Sequence, residues 1–254
     1  MFLWFLGTGS SEGVPAINCN CEHCSKARVY SFLRRKQISI LIIGDKTNEN
    51  ILVDAGWDVS SCISEIKLRA ILLTHWHHDH YAGLFPMRWT IHRVKLYCPR
   101  ESIDPEIFNK PLNLELTFIE ESFQKIKMGN FMVIPIPLNH SIKTYGYLIQ
   151  GFGHTIAIIF DTKNLSKEAV DFLSSYQLDV AIIDATFGPG IEDPIHNNVD
   201  DALKICHKLN AKKVFLVHIS HKNLDYFKLM KYISSHYESS HIEVALDNTI
   251  YFIR

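Results

Sequence analysis

A series of short runs rich in apolar and β-branched residues constrains the fold of this chain more than any other feature. Many of the runs are apolar throughout, which is typical of strands covered on both faces. Helical spacing between the runs predicts a mixed α and β architecture, with two sheets and helices outside them. The predicted strands are residues 38–43, 50–54, 70–74, 94–98, 131–136, 145–149, 155–160, 179–184, 213–217 and 249–253. The predicted helices are residues 58–67, 80–89, 166–175, 198–209 and 223–235.

The absence of repeats, low-complexity tracts and Pro/Gly/Ser linkers predicts a single domain over residues 1–254. The formal net charge of -1 offers no basic excess for wrapping a nucleic acid, so stable nucleic-acid binding is not expected. The apolar start has no preceding Lys or Arg and ends at Gly7, which favours a buried strand over a secretory signal. No apolar run approaches the ~20 residues that span a bilayer. We therefore expect a cytoplasmic protein without a membrane partner.

The segment LLTHWHHDHYAG, residues 72–83, carries the strongest chemical signal, because four donors follow a buried run: His75, His77, Asp79 and His80. Side chains alternate in an extended segment at steps of about 6.6 Å per two residues, so the first three can share one side. Four donors exceed what one ion with an open position needs. The motif therefore predicts two divalent ions roughly 3.5–4 Å apart, and a polar loop that is merely rich in histidine is the alternative.

Further donors stand at or just beyond the ends of other apolar runs. They are His140, Asp161 and His218, and burial of such groups is costly without a partner. Each of them alone could equally be a hydrogen-bonded structural residue. Asp161 is the only carboxylate of the three, and a carboxylate can bridge two cations. Asp54 and Asp184 also end buried runs; we interpret them as carboxylates that orient the histidines, with a purely structural role as the alternative.

The stretch NCNCEHCSKA, residues 18–27, contains three cysteines: Cys19, Cys21 and Cys24. A disulfide would leave one of them unpaired, a redox site would use two, and a tetrahedral metal site needs a fourth ligand. A reducing compartment favours the metal site. The candidates for the fourth ligand are His23, which would be crowded between two thiolates, and His221. The isolated cysteines are predicted to be buried apolar side chains: Cys62, Cys98 and Cys206.

The motif HxHxDH followed by a lone His, a lone Asp and a final His resembles the metallo-β-lactamase-fold hydrolases. Within them the resemblance is closest to the PhnP-type phosphodiesterases of the carbon–phosphorus lyase pathway. Besides the cysteine cluster, the segments that carry it are GTGSSEGVPA (7–16), RRKQISILI (34–42), LVDAG (52–56), LFPMRW (84–89), PIPLNHSIKTYGYLI (135–149) and VHISH (217–221). The resemblance implies an α+β fold, a four-layer αββα sandwich with the metals at one edge of the two sheets.

The resemblance also implies three metal positions. One ion of a binuclear centre would be bound by His75, His77, His140 and Asp161. The other would be bound by Asp79, His80, Asp161 and His218, so that Asp161 bridges the two. Manganese or zinc suits these donors. In an N-terminal arm near residues 18–27, a structural zinc without an open position would be bound by Cys19, Cys21, Cys24 and His221.

The function implied is hydrolysis of a small phosphodiester by a hydroxide held between two ions, with 5-phosphoribosyl 1,2-cyclic phosphate or a cyclic nucleotide as the substrate type. His196 aligns with a family histidine near the substrate phosphate and is predicted to be the general acid or a phosphate ligand; a solvent-exposed loop histidine is the alternative. Two other functions are an RNA-processing nuclease, whose tRNA-gripping arm has no counterpart here, and a carrier-like role as in the pyrroloquinoline quinone biosynthesis protein. An edge or helix-face homodimer is compatible with the sequence.

Overall fold

The predicted strands assemble into two sheets of seven strands in the computed structural model, which describes residues 1–44, 49–100, 107, 109–236 and 241–254. In spatial order the first sheet is β14 (Thr249–Phe252), β1 (Phe2–Gly7), β2 (Ser39–Ile43), β3 (Asn50–Val53), β4 (Ala70–Leu72), β5 (Val94–Pro99) and β6 (Leu114–Ile119). Pairing is antiparallel from β14 to β3 and parallel from β3 to β6.

The second sheet has the same mixed character. Its spatial order is β13 (Ile242–Val244), β12 (Lys213–Val217), β11 (Val180–Asp184), β10 (His154–Ile159), β9 (Thr144–Gly151), β8 (Phe131–Leu138) and β7 (Ile126–Met128). Pairing is parallel from β13 to β10 and antiparallel from β10 to β7. In both sheets the polar residues of the motifs follow the ends of parallel strands, which are β3, β4, β10, β11 and β12.

Helices cover the outer faces of the sheets, which explains why so many strands are apolar throughout. The helices are α1 (Glu22–Val29), α2 (Val59–Cys62), α3 (His78–Tyr81), α4 (Leu84–Met87), α5 (Lys167–Ser174), α6 (Val199–Leu209) and α7 (Tyr226–His236). In β2, Ile40 and Ile42 point into the layer between the sheets, whereas Leu41 packs outward with Leu84 of α4. Helices α5, α6 and α7 cover the second sheet in the same way. The predicted four-layer αββα sandwich is confirmed.

Local sequence signals set the ends of the longer helices. Ser166 caps α5 by accepting a hydrogen bond from the Ala169 N–H, as its position predicts. Asn198 caps α6 through the Asp201 N–H, and Asn210 ends that helix in the left-handed region at φ 48°. These two helices lie close to the predicted bounds because caps are encoded within a few residues of the chain.

Several predicted elements differ from the structure. The predicted helix over residues 80–89 is two short helices, α3 and α4, because the Gly83 N–H donates to the Ala55 carbonyl oxygen outside the helix. The helix predicted over residues 58–67 ends already at Cys62. Strands β6, β7 and β13 were not predicted, because they lie at sheet edges where a strand is short or only partly buried. Among the described residues, no helix is long and apolar enough to cross a membrane.

Candidate metal centre

Loops that follow strands β4, β8, β10 and β12 bring the seven predicted donors of the binuclear centre to one edge of the two sheets. Three acidic or imidazole residues near these strand ends have a left-handed backbone: Asp54 at φ 56°, Asp161 at φ 58° and His218 at φ 60°. This region costs a non-glycine residue about 1–3 kcal/mol, so the surrounding contacts must hold it there. Eight other non-glycine residues of the described chain share this backbone, so at these three positions it fixes the course of the chain and does not by itself mark a functional site.

The first group of donors surrounds one point between the sheets. His75 Nε2 lies 2.9 Å from His77 Nδ1 and 3.4 Å from Asp161 Oδ2, and His140 Nε2 lies 3.2 Å from His77 Nδ1 and 3.8 Å from Asp161 Oδ2. Tetrahedral ligands at 2.0–2.1 Å from a zinc ion are separated by about 3.3 Å. The four donor atoms therefore have the spacing that a single ion requires.

The second group shares Asp161 with the first. His80 Nε2 lies 3.0 Å from Asp161 Oδ2 and 3.2 Å from Asp79 Oδ2. His218 Nε2 lies 3.0 Å from Asp161 Oδ1 and 3.6 Å from Asp79 Oδ2. The two oxygens of Asp161 thus face the imidazoles of both His80 and His218, and this carboxylate stands between the two groups.

Hydrogen bonds to the Nδ1 atoms of His75, His80 and His140 determine which nitrogen of these three histidines is available, whereas His77 presents its Nδ1 to the other donors. The Thr74 hydroxyl donates to Asp54 Oδ2, so it accepts from His75 Nδ1–H, and His80 Nδ1–H donates to the same Asp54 oxygen at 2.7 Å. Because a carbonyl can only accept, His140 Nδ1–H donates to the oxygen of Ile195. These contacts leave the Nε2 lone pairs free for a metal.

His218 is oriented by the same kind of relay in the second sheet. The Thr186 hydroxyl donates to Asp184 Oδ1 at 2.6 Å, so it accepts from His218 Nδ1–H at 2.8 Å. The predicted orienting role of Asp54 is therefore a direct contact with His80, whereas Asp184 reaches His218 through a hydroxyl. Neither Thr74 nor Thr186 was singled out from the sequence, although each stands beside a strand-end donor in LLTH and DAT.

Three buried polar atoms of the centre make no hydrogen bond within the described residues: His80 Nε2, His218 Nε2 and Asp161 Oδ1. His218 Nε2 lies 3.0 Å from Asp161 Oδ1, and His80 Nε2 lies 3.0 Å from the other oxygen of that carboxylate, yet neither contact has the geometry of a hydrogen bond. Buried polar atoms without partners are rare in proteins. A cation between these atoms would satisfy all of them, so the residues present fit a bound metal.

The electrostatics of the centre also fit a cation. Burial lowers the pKa of a histidine, yet the carboxylates of Asp161 and Asp79 raise the pKa of His80 well above its ordinary value. Burial also lowers the pKa of His218, but Asp161 outweighs burial and raises this pKa to about 10. Burial would raise the pKa of Asp161, but His218 and His80 hold it well below its ordinary value. The buried carboxylates therefore need positive charge nearby, which divalent ions would supply.

The predicted cysteine site is also assembled. His221 Nδ1 lies 3.2 Å from Cys19 Sγ and 3.9 Å from Cys21 Sγ, and the four ligand atoms, including Cys24 Sγ, are all within 4.8 Å of one another. Hydrogen bonds from the Cys21 backbone N–H and then from the Cys21 thiol lower the pKa of Cys19 to about 7. Such a thiol releases its proton readily to a metal.

The other candidate for the fourth ligand, His23, does not join the cysteine cluster. It is buried, its two ring nitrogens have no hydrogen-bond partner in the described part of the chain, and burial followed by the charge of Arg35 lowers its pKa to about 4. Cys98 and Cys206 are buried, as predicted. Cys62 is only half-buried and lies 3.8 Å from Lys36 Nζ, so its prediction as a buried side chain was wrong; the early end of α2 leaves it near the surface.

His196 lies against the donor cluster. Its ring stacks on that of His218 with centroids 5.3 Å apart, and its Nδ1 is 3.5 Å from Asp184 Oδ2. Burial lowers its pKa, but Asp184 and then Asp161 outweigh burial and raise it. His196 also lines a cavity of about 490 Å³ that reaches from the centre to the cysteine cluster; other residues of the lining are Glu12, Asp161, Phe187, His218 and Lys222.

Comparison with known proteins agrees with this geometry. Residues 49–219 match the family model of the beta-lactamase superfamily domain. The crystal structure of a new diphosphatase from the PhnP family superposes with a TM-score of 0.83 and 26% sequence identity, over 98% of this chain and 96% of that chain.

Two curated relatives are similar in sequence. A ribonuclease Z of Methanocaldococcus jannaschii is 23% identical over an alignment of 327 positions, which covers 100% of this chain and 98% of that protein. An octanoyltransferase of Porphyromonas gingivalis is 28% identical over 240 residues, which cover 85% of this chain. The match covers only 45% of that octanoyltransferase, so this chain corresponds to less than half of it.

Proposed function

The chain belongs to the beta-lactamase superfamily, whose members are mostly metal-dependent hydrolases, and from this premise we propose that it is a binuclear metal-dependent phosphodiesterase. The observation that carries the proposal is the pair of four-donor groups that share Asp161 beside a cavity. One ion would be held by His75, His77, His140 and Asp161, and the other by Asp79, His80, Asp161 and His218. Divalent ions there would offset charge on phosphoryl oxygens and make a water molecule acidic enough to attack at neutral pH.

The protein's own residues would position the substrate and supply a proton. His196 lines the cavity next to His218, and Asp184 beside its ring outweighs the effect of burial and raises its pKa. Asp184 faces His196 Nδ1, which leaves Nε2 for the substrate. In this proposal His196 donates a proton to the departing alkoxide oxygen or a hydrogen bond to the phosphate, and Asp184 holds its ring in place.

The size of the cavity supports a small diester as substrate. Its volume of about 490 Å³ is within the range of small-molecule sites, roughly 300–1,000 Å³. Beyond the donor cluster its wall carries hydroxyls, the Phe187 ring and the Lys222 ammonium, which suits a polar group attached to the phosphate. The similarity to a PhnP-family diphosphatase favours a phosphorylated substrate, and a cyclic ribose phosphate or cyclic nucleotide is the type we propose.

RNA processing is the second candidate function, because the relative described as a ribonuclease Z matches along essentially its whole length. The centre proposed here would cleave either diester, so the choice depends on what the surroundings of the cavity can bind. Among the described residues, the cavity lining offers one lysine or arginine side chain, Lys222, which suits a small anion better than a polynucleotide. The predicted cytoplasmic location and homodimer stay predictions.

The test is a turnover assay on purified protein of measured metal content. The substrates are bis-p-nitrophenyl phosphate, cyclic nucleotides, 5-phosphoribosyl 1,2-cyclic phosphate and a precursor tRNA. We expect turnover of a small diester that a chelator abolishes and zinc or manganese restores. Cleavage of precursor tRNA alone would favour the second candidate. No turnover of any diester, with two ions bound, would overturn the proposal and favour a carrier-like role.

A further inference from the structure

Glu12 stands between the cysteine cluster and the cavity, in the loop that follows β1. Its Oε2 accepts a hydrogen bond from the Ser10 hydroxyl at 2.9 Å, and its Oε1 accepts one from the Ser220 hydroxyl at 2.5 Å. Both oxygens are therefore engaged by the protein, although the side chain borders the cavity. This arrangement suits a residue that holds neighbouring groups in place better than one that contacts a substrate.

The two serines lie on loops that follow strands of different sheets. Ser10 follows β1 of the first sheet, whereas Ser220 follows β12 of the second. The backbone joins these loops as well, because Ile219 N–H donates to the Thr8 carbonyl and Ser10 N–H to the Ile219 carbonyl. Glu12 adds a side-chain connection at the same junction through Ser220, which stands two residues after His218 and directly before His221 in the chain.

The ring of His221 connects Glu12 to the cysteines. Its Nδ1 faces Cys19 and Cys21, so this nitrogen would bind the metal and Nε2 would carry the proton. Nε2 lies 3.8 Å from Glu12 Oε1, which is longer than a hydrogen bond but close enough for the carboxylate to attract the Nε2–H dipole. A carboxylate behind a ligating imidazole fixes its tautomer and orientation, and loss of such a partner typically lowers metal affinity about 10–100-fold.

We propose that Glu12 is a positioning residue that holds His221 for the metal of the cysteine cluster and ties that ligand to Ser220, on the loop that presents His218. The inference rests on the prediction from the family resemblance that the cluster binds zinc. Its test needs no turnover, so it can fail separately from the proposed phosphodiesterase activity.

The test compares the full-length protein with Glu12→Gln, Glu12→Ala and a matched control, Glu22→Gln. Glu22 lies on the same arm, but it pairs with Lys26 and Lys228 at an exposed position, where ion pairs contribute little. Cobalt(II) replaces zinc, because its thiolate charge-transfer band reports on the cysteine site alone. The measurement is the rate at which a chelator removes this band, together with circular dichroism to show that each variant is folded.

We expect Glu12→Ala to release cobalt from the cysteines about 10–100-fold faster than the wild type. Glu12→Gln, whose carbonyl can still accept from His221 Nε2–H without a charge, should lie in between, and Glu22→Gln should match the wild type. Equal release from all four proteins would overturn the role of Glu12, and so would an equal acceleration in Glu22→Gln, which would show a general charge effect. A wild-type protein without the charge-transfer band would instead refute the metal site.

Discussion

Replacement of Asp54 by Asn should weaken metal binding although Asp54 is not a proposed ligand. Asp54 is fully buried, and its two oxygens accept three hydrogen bonds, from Thr74 N at 2.8 Å, Thr74 Oγ1 at 2.8 Å and His80 Nδ1 at 2.7 Å. Asn has the same shape but one acceptor oxygen and one NH₂ group. In either orientation the NH₂ group therefore faces a group that donates a hydrogen bond in the wild-type protein, either Thr74 N–H or His80 Nδ1–H.

The magnitude follows from these contacts. One buried donor without an acceptor costs about 1–3 kcal/mol. His80 can avoid the conflict by moving its proton to Nε2, but that nitrogen is then blocked for the metal. The affinity should thus fall about 10–100-fold, which corresponds to about 1.4–2.7 kcal/mol.

The assay is a zinc titration of metal-free protein against a competing chelator, with urea unfolding of the metal-free form measured in parallel. Asp58→Asn is the matched control, because Asp58 is exposed and pairs only loosely with Lys36 at 3.5 Å. It makes the same chemical change without a buried contact. An Asp54→Asn protein that binds zinc as tightly as Asp58→Asn would refute the tautomer argument.

Three other substitutions test the remaining parts of the site. His196→Ala should lower kcat on a small diester about 10²–10⁴-fold with its metal content intact, and wild-type turnover would show that the ring is not the proton donor. Asp161→Asn should remove the bridge between the donor groups, so metal analysis should show loss of both ions and turnover should fall at least about a hundredfold; retention of two ions would contradict its bridging position. Cys21→Ser should release about one equivalent of zinc and lower the thermal midpoint, whereas unchanged zinc stoichiometry would show that the wrong ligands were chosen.

The candidate donor residues could be predicted from the sequence, and the structure brings them together. The four donors in residues 75–80 are neighbours in the chain, and local geometry restricts where such neighbours can point. The apolar runs, the caps of α5 and α6 and the two-faced burial of strands such as β2 are likewise local or periodic signals. Three of the four strands at the sheet edges, β6, β7 and β13, carried weaker signals and were missed.

The chain alone determined which residues can bind metals and which segments form strands, because both depend on residue type and on neighbours a few positions apart. The residues alone left open which distant groups meet, for example His23 or His221 at the cysteines; the family resemblance implied an answer, and the tertiary structure shows the contacts. His221 reaches the cysteines from 202 residues beyond Cys19, whereas the much nearer His23 is buried elsewhere. The contact of Glu12 with Ser220 also spans the junction of the two sheets. Such contacts depend on how the sheets pack and where their loops turn, which no short stretch of sequence encodes.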